Sequence, residues 1–163
     1  MRVALVLRLG VAIAAGGILH AQVASTAVRP EQDAVHRLVA RGMDRSETFR
    51  GLSARLDSSD VVVYVRFAGC AGGVPACLVM ASEGPGPRRL LVKLDRFGRS
   101  ESDLIALLAH ELQHANEVAT APEVRDAASF REFFERRGRK GSDGFETAQA
   151  KEITRRVAEE LIR

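Results

Sequence analysis

Residues 102–119 read SDLIALLAHELQHANEVA, and the pentapeptide His110-Glu111-Leu112-Gln113-His114 within them governs the reading of the whole chain. Leu104, Leu108, Leu112, Ala115 and Ala119 recur at the period of an α-helix and form an apolar stripe. The helix they predict runs from about 101 to 119. Asp103, Leu107, His110, His114 and Glu117 fall on another face. Residues four apart on a helix lie one above the other, so the two imidazoles can turn toward a single ion with Glu111 beside them. That is the HExxH pattern: two nitrogen ligands for zinc and a carboxylate to move the proton of a water held on the metal.

Two histidines on an amphipathic helix can also be plain polar-face residues. The chain has only four histidines, however, and one of them, His20, lies in a leader-like segment. Two of the remaining three therefore occupy the motif. The other, His36, falls on a separate helical stretch and reads as an ordinary surface or core residue.

A hydrolytic zinc site takes three protein ligands and keeps a fourth position for water. His36 is the one further histidine on offer. Glu117 shares the motif's helix, and one straight helix does not easily wrap three side chains at these spacings around one ion. It reads as a group behind the ligands, hydrogen-bonded to a histidine, or as surface. Glu123 and Asp126 follow a turn and can fold back. Glu146 opens the final helical stretch, a separate element that can pack across the first. Glu146 is the preferred third ligand and Glu123 the alternative. Each is also a plausible helix-start acid complementing the helix dipole.

The chain has 163 residues, which suits one domain. Its beginning reads as a secretory signal peptide over residues 1–27. Arg2 and Arg8 supply the positive region, residues 9–19 are uncharged and mostly apolar, and Ala21, Ala24 and Ala27 offer small-residue cleavage points. The apolar run is shorter than the roughly 20 residues a membrane span needs; an uncleaved anchor is the alternative. Cleavage leaves a single domain over 28–163 in the periplasm or outside the cell, with no stable membrane span. The whole chain carries 24 basic and 21 acidic residues, and loss of Arg2 and Arg8 leaves 22 against 21, or +1. Charge therefore gives no argument for nucleic-acid binding. Cys70 and Cys77 bracket a Gly/Pro-rich stretch and, in an oxidising compartment, read as a disulfide rather than as zinc ligands.

Along the chain, helices are expected over 31–43 and 46–56, two elements that pack as part of the domain or shield the site as an inhibitory segment. Strands are expected over 61–67, 77–81 and 88–94, the first rich in β-branched residues. Short connections suggest that these form a three-stranded antiparallel meander. Helices over 122–137 and 145–162 follow the motif helix. The expected fold is α+β, a small antiparallel sheet with the HExxH helix and further helices.

A strand-rich segment, an HExxH helix and a downstream helix bearing a glutamate resemble the gluzincins, zinc metallopeptidases whose third ligand is glutamate. The chain also resembles small exported bacterial HExxH proteins. The resemblance implies a minimal gluzincin-like core, zinc at His110 and His114, general-base work by Glu111, and Glu146 as third ligand. It further implies a strand edge that holds an extended peptide or cell-envelope protein substrate. Ala150 stands four residues after Glu146, where the family's pattern has an acid, and no downstream His or Tyr offers an oxyanion stabiliser. The expected function is an exported, peptidase-like zinc metallohydrolase. The alternative is a non-catalytic zinc-binding structural or interaction module of the cell envelope.

Overall fold

A computed structural model describes residues 25–82, 86–137, 139–141 and 144–163, with the side chains of 139–145 left out. The leader read over 1–27 lies outside the described residues up to 24. The chain runs β1 (Val28–Pro30), α1 (Asp33–Arg45), α2 (Glu47–Asp57), β2 (Val61–Phe67), a short 3-10 turn, β3 (Ala76–Met80) and β4 (Arg88–Leu94). Then come α3 (Glu101–Ala119), α4 (Ala127–Arg137), a small hairpin of β5 (Arg139–Gly141) and β6 (Gly144–Glu146), and α5 (Ala148–Leu161).

The α+β class stands, but the sheet is not a three-stranded antiparallel meander. It has four strands in the order β1-β2-β4-β3. β1 and β2 are parallel, as are β2 and β4, and only β3 runs antiparallel, against β4. The physical reason lies in which strands the core can use. Val61, Val63 and Val65 on β2 and Leu90, Val92 and Leu94 on β4 are all buried at 0–1% exposure, alternating with half-exposed neighbours. They pair in register, Val63 with Leu90 and Val65 with Val92, and make one continuous apolar face for the helices to cover. Every residue of β3 is only half buried, which suits an edge. Residues 68–75 carry the chain past the place of β4 to that edge, and β4 then enters between β2 and β3. The short strand β1 was not anticipated; Pro30, which reads as the opening of the first helix, ends this strand instead, and α1 begins at Asp33.

α3 is the centre of the molecule. It packs on the sheet and on α1, α2 and α5. Its start is set by a capping box: Ser100 Oγ accepts from the Asp103 amide, and the Asp103 carboxylate accepts from the Ser100 amide. Asp103 therefore belongs to the cap and not to a ligand face. Packing on several sides buries most of the helix between Leu104 and Val118, its polar residues Glu111, Gln113, His114, Asn116 and Glu117 included. A residue buried on the second face must be hydrogen-bonded or functional.

α5 begins at Ala148, later than expected, and it lies on α3 through Ala150, Ile153 and Val157. Among the described residues no helix is long and apolar enough to cross a membrane. Ser25–Ala27, assigned above to the leader, belong to the folded part. Ala27 is buried, and the Asp57 carboxylate accepts from the Thr26 and Ala27 amides and from the Ser25 hydroxyl at 2.8–2.9 Å. Of the expected cleavage points, those after Ala21 and Ala24 leave these bonds whole. Cys70 and Cys77 stand at disulfide distance, with S–S 2.10 Å and Cα–Cα 6.1 Å.

Candidate metal centre

Three side chains from two elements, α3 and β6, meet where α5 starts across α3. His110 and His114, one turn apart, bring their Nε2 atoms to 3.1 Å of each other. Glu146, at the end of β6, places Oε1 3.3 Å from His110 Nε2. Thr147 caps α5, its Oγ1 accepting from the Ala150 amide, and so fixes the turn that delivers Glu146 to the site.

The outer nitrogens of both rings are already engaged. His110 Nδ1 lies 2.9 Å from Thr154 Oγ1, and that hydroxyl spends its hydrogen on the Ala150 carbonyl. The hydroxyl must therefore accept, so His110 Nδ1 carries the proton and Nε2 presents a lone pair. His114 Nδ1 donates to Glu117 Oε2 at 2.9 Å. Glu117 is itself held by the Thr147 hydroxyl at 2.7 Å and by Gln113 Nε2 at 3.4 Å. Its pKa is lowered: burial pushes it up, but the hydrogen bonds from His114 and Thr147 outweigh that. An ionised Glu117 has no proton to give, so the shared hydrogen belongs to His114.

Electrostatics separate the two rings. Burial, with the neighbouring His114 charge, holds His110 below the usual imidazole range. Burial also acts downward on His114, but the Glu117 hydrogen bond and the Glu111 and Glu117 charges raise it overall. Glu111 is 6% exposed, and burial pushes its carboxyl up to about 7 against the pull of His114. A carboxyl poised near neutrality suits proton transfer.

The site opens into a cavity of about 260 Å³ that His110, Glu111, His114 and Glu146 share. Its apolar walls come from Val74, Pro75 and Leu78 on and before the edge strand, Leu107 on α3, and Phe130 and Phe134 on α4. The Phe134 ring meets His114 edge-on at 5.1 Å between centroids.

The remaining candidates lie elsewhere. Glu123 and His36 are exposed, and the Asp126 carboxylate accepts from the Ser129 amide at the start of α4. Thr147 and Thr154 were missed, although their separation of seven residues, two turns of α5, was visible in the sequence. Among the described residues no group of three or more His, Cys, Asp or Glu is placed so as to hold a metal ion; the nearest approach is the imidazole pair with Glu146. Two nitrogens bound tetrahedrally to zinc at about 2.0–2.1 Å stand roughly 3.3 Å apart, close to the 3.1 Å between the two Nε2 atoms. Comparison of the chain with protein-family models, with curated proteins and with solved structures found no match.

Proposed function

We propose that the protein is an exported zinc-dependent metallohydrolase acting on peptide or cell-envelope protein substrates, with a gluzincin-like ligand set. His110, His114 and Glu146 would hold the ion, and Glu111 would be the general base. One observation carries this reading. A half-buried imidazole, His110, and a buried one, His114, face each other nitrogen to nitrogen at 3.1 Å while the other nitrogen of each is committed to a partner. Two lone pairs so placed repel unless a cation lies between them. A proton can serve, but a divalent ion also uses the carboxylate of Glu146, which the proton does not need.

Bound there, zinc supplies Lewis acidity, lowering the pKa of water and polarising a carbonyl oxygen. The residues do the rest. Glu111, at the same cavity, takes a proton from the attacking water and returns it to the leaving amine. Thr154 and Glu117 hold the imidazoles in the tautomer that leaves Nε2 bare. Phe130, Phe134 and Leu107 line the cavity and accommodate an apolar side chain of the substrate. The edge of β3, beside the cavity, supports an extended substrate backbone.

The test is metal content. Elemental analysis of the purified chain should give about one zinc per protein, lost in His110→Ala and His114→Ala and reduced in Glu146→Ala, but intact in Glu123→Ala. A folded wild-type protein that carries no metal, and whose melting temperature neither zinc nor EDTA moves, overturns the proposal.

The groups behind the ligands give a graded version. Thr154→Val and Glu117→Gln should each weaken zinc affinity by roughly 10–100-fold, as competition against a chromophoric chelator would measure. Equal affinity in wild type and both variants would show that these hydrogen bonds do not orient ligands.

A further inference from the structure

A second cavity, of about 430 Å³, opens on the other side of Glu117, where α2, α3, the end of α4 and the start of α5 come together. Its floor is built of hydrogen-bond acceptors. Gln113 is 3% exposed; its Nε2 is spent on Glu117, and its Oε1 is buried with no partner. Such an atom is costly and calls for a donor. Beside it, Asn116 gives its amide nitrogen to the Leu52 and Leu112 carbonyls, which leaves its own oxygen as an acceptor. The Glu117 carboxylate completes the floor.

The rim is built of cations. Arg55 and Arg137 line the same cavity and are exposed. Neither is in an ion pair among the described residues, whereas Arg125, Arg136, Arg155 and Arg156 all are. Arg137 rests on the Phe133 ring at 4.5 Å, which orients its guanidinium without neutralising it.

Acceptors at the bottom and guanidinium groups at the mouth match a ligand that is cationic at one end and anionic at the other. We propose that this cavity binds a small zwitterion, an amino acid or a short peptide with free ends. The ammonium group donates to Gln113 Oε1, Asn116 and Glu117, and the carboxylate pairs with Arg55 and Arg137. The volume is in the usual range of small-molecule sites. The inference does not rest on the zinc reading, although the two sites share Glu117, whose carboxylate also accepts from His114.

The experiment is calorimetric titration of the full chain with L-alanine and, separately, with L-alanyl-L-alanine; the tighter binder identifies the source. Removing either charged end, in N-acetyl-L-alanine or L-alaninamide, should weaken binding about tenfold or more, because the group it met is left unpaired. Arg55→Ala/Arg137→Ala should do the same to the zwitterion. Both residues are exposed, so this variant should melt at the wild-type temperature without ligand. Saturable binding should persist in EDTA-treated protein. No saturable binding of either probe up to roughly tenfold above 1 mM overturns the proposal. So does unchanged affinity in the arginine variant, equal binding of the capped analogues, or binding that depends on zinc, which would assign the ligand to the first cavity.

Discussion

Glu111→Gln is expected to lower turnover about 10³-fold while one zinc stays bound per chain. The substitution keeps the size of the side chain and removes its capacity to accept a proton. Glu111 is buried at the shared cavity, in surroundings that hold its carboxyl near neutrality. Its loss should therefore act on kcat and leave the ligands in place. Hydrolysis of a quenched fluorescent peptide library, followed with metal analysis on the same samples, gives the answer. Undiminished hydrolysis in the variant would place the base elsewhere. If wild type itself hydrolyses nothing, and His110→Ala merely lowers the melting temperature, the zinc serves structure and the non-catalytic reading replaces the catalytic one.

The second large effect concerns stability. Arg88 begins β4, yet it is 3% exposed. Its guanidinium donates to the Val118 and Ala121 carbonyls at 2.7 Å and pairs with Asp60. A cation thus sits at the negative end of the α3 dipole and satisfies carbonyls that the helix end leaves open. Arg88→Met fills the space but strands those carbonyls and removes the charge. The expected loss is about 1–3 kcal/mol for each carbonyl left unpaired, or a fall in melting temperature of roughly 10 °C. A fall of only a degree or two would mean that water replaces the guanidinium.

Asp60 gives the same clamp a pH dependence. Its hydrogen bond with Arg88 holds its carboxyl below the ordinary value of 3.8 even though burial opposes this. A lowered folded-state pKa contributes stability above the unfolded value and loses it as pH falls through the folded one. The contribution should thus begin to fall near pH 4 and be gone only once pH drops below the folded-state value. It is modest, because the Asp60 side chain is 42% exposed and screened. Asp60→Asn should therefore cost much less than Arg88→Met and should flatten the acid limb of the stability curve.

The motif helix was legible from residues 100–119 alone, because its cap, period and end are all local. Ser100 and Asp103 close the start, and the expected span of 101–119 agrees with α3. The limits of β2 and β4 were legible for the same reason, since β-branched and apolar content is a property of each strand by itself. Strand order was not. Val61-Val-Val-Tyr-Val and Leu90-Leu-Val-Lys-Leu suit a parallel or an antiparallel pair equally well, and the choice depends on where residues 68–75 carry the chain. The site followed the same division. His110, Glu111 and His114 lie within one turn of helix, so their proximity was guaranteed by local geometry. Glu146 was one candidate among several, and what brings it to 3.3 Å from His110 is the packing of Ala150, Ile153 and Val157 against α3. That contact spans more than thirty residues of chain and has no local signature. Burial of Gln113 and Glu117 was hidden for a related reason: a helix read with one free face proved to be covered on several sides.

The bridge between Cys70 and Cys77 bears on how activity is assayed. Val74, Pro75, Ala76 and Cys77 form part of the cavity wall, so the crosslink braces the rim over which a substrate would lie. On the proposed zinc site, a buffer containing dithiothreitol would attack the sample twice, competing for the metal through its own thiolates and slackening that rim. Inactivation by a thiol reagent would not distinguish the two. Metal removal is better tested with a carboxylate chelator in thiol-free solution, and the protein is better produced where disulfides form than in a reducing cytoplasm.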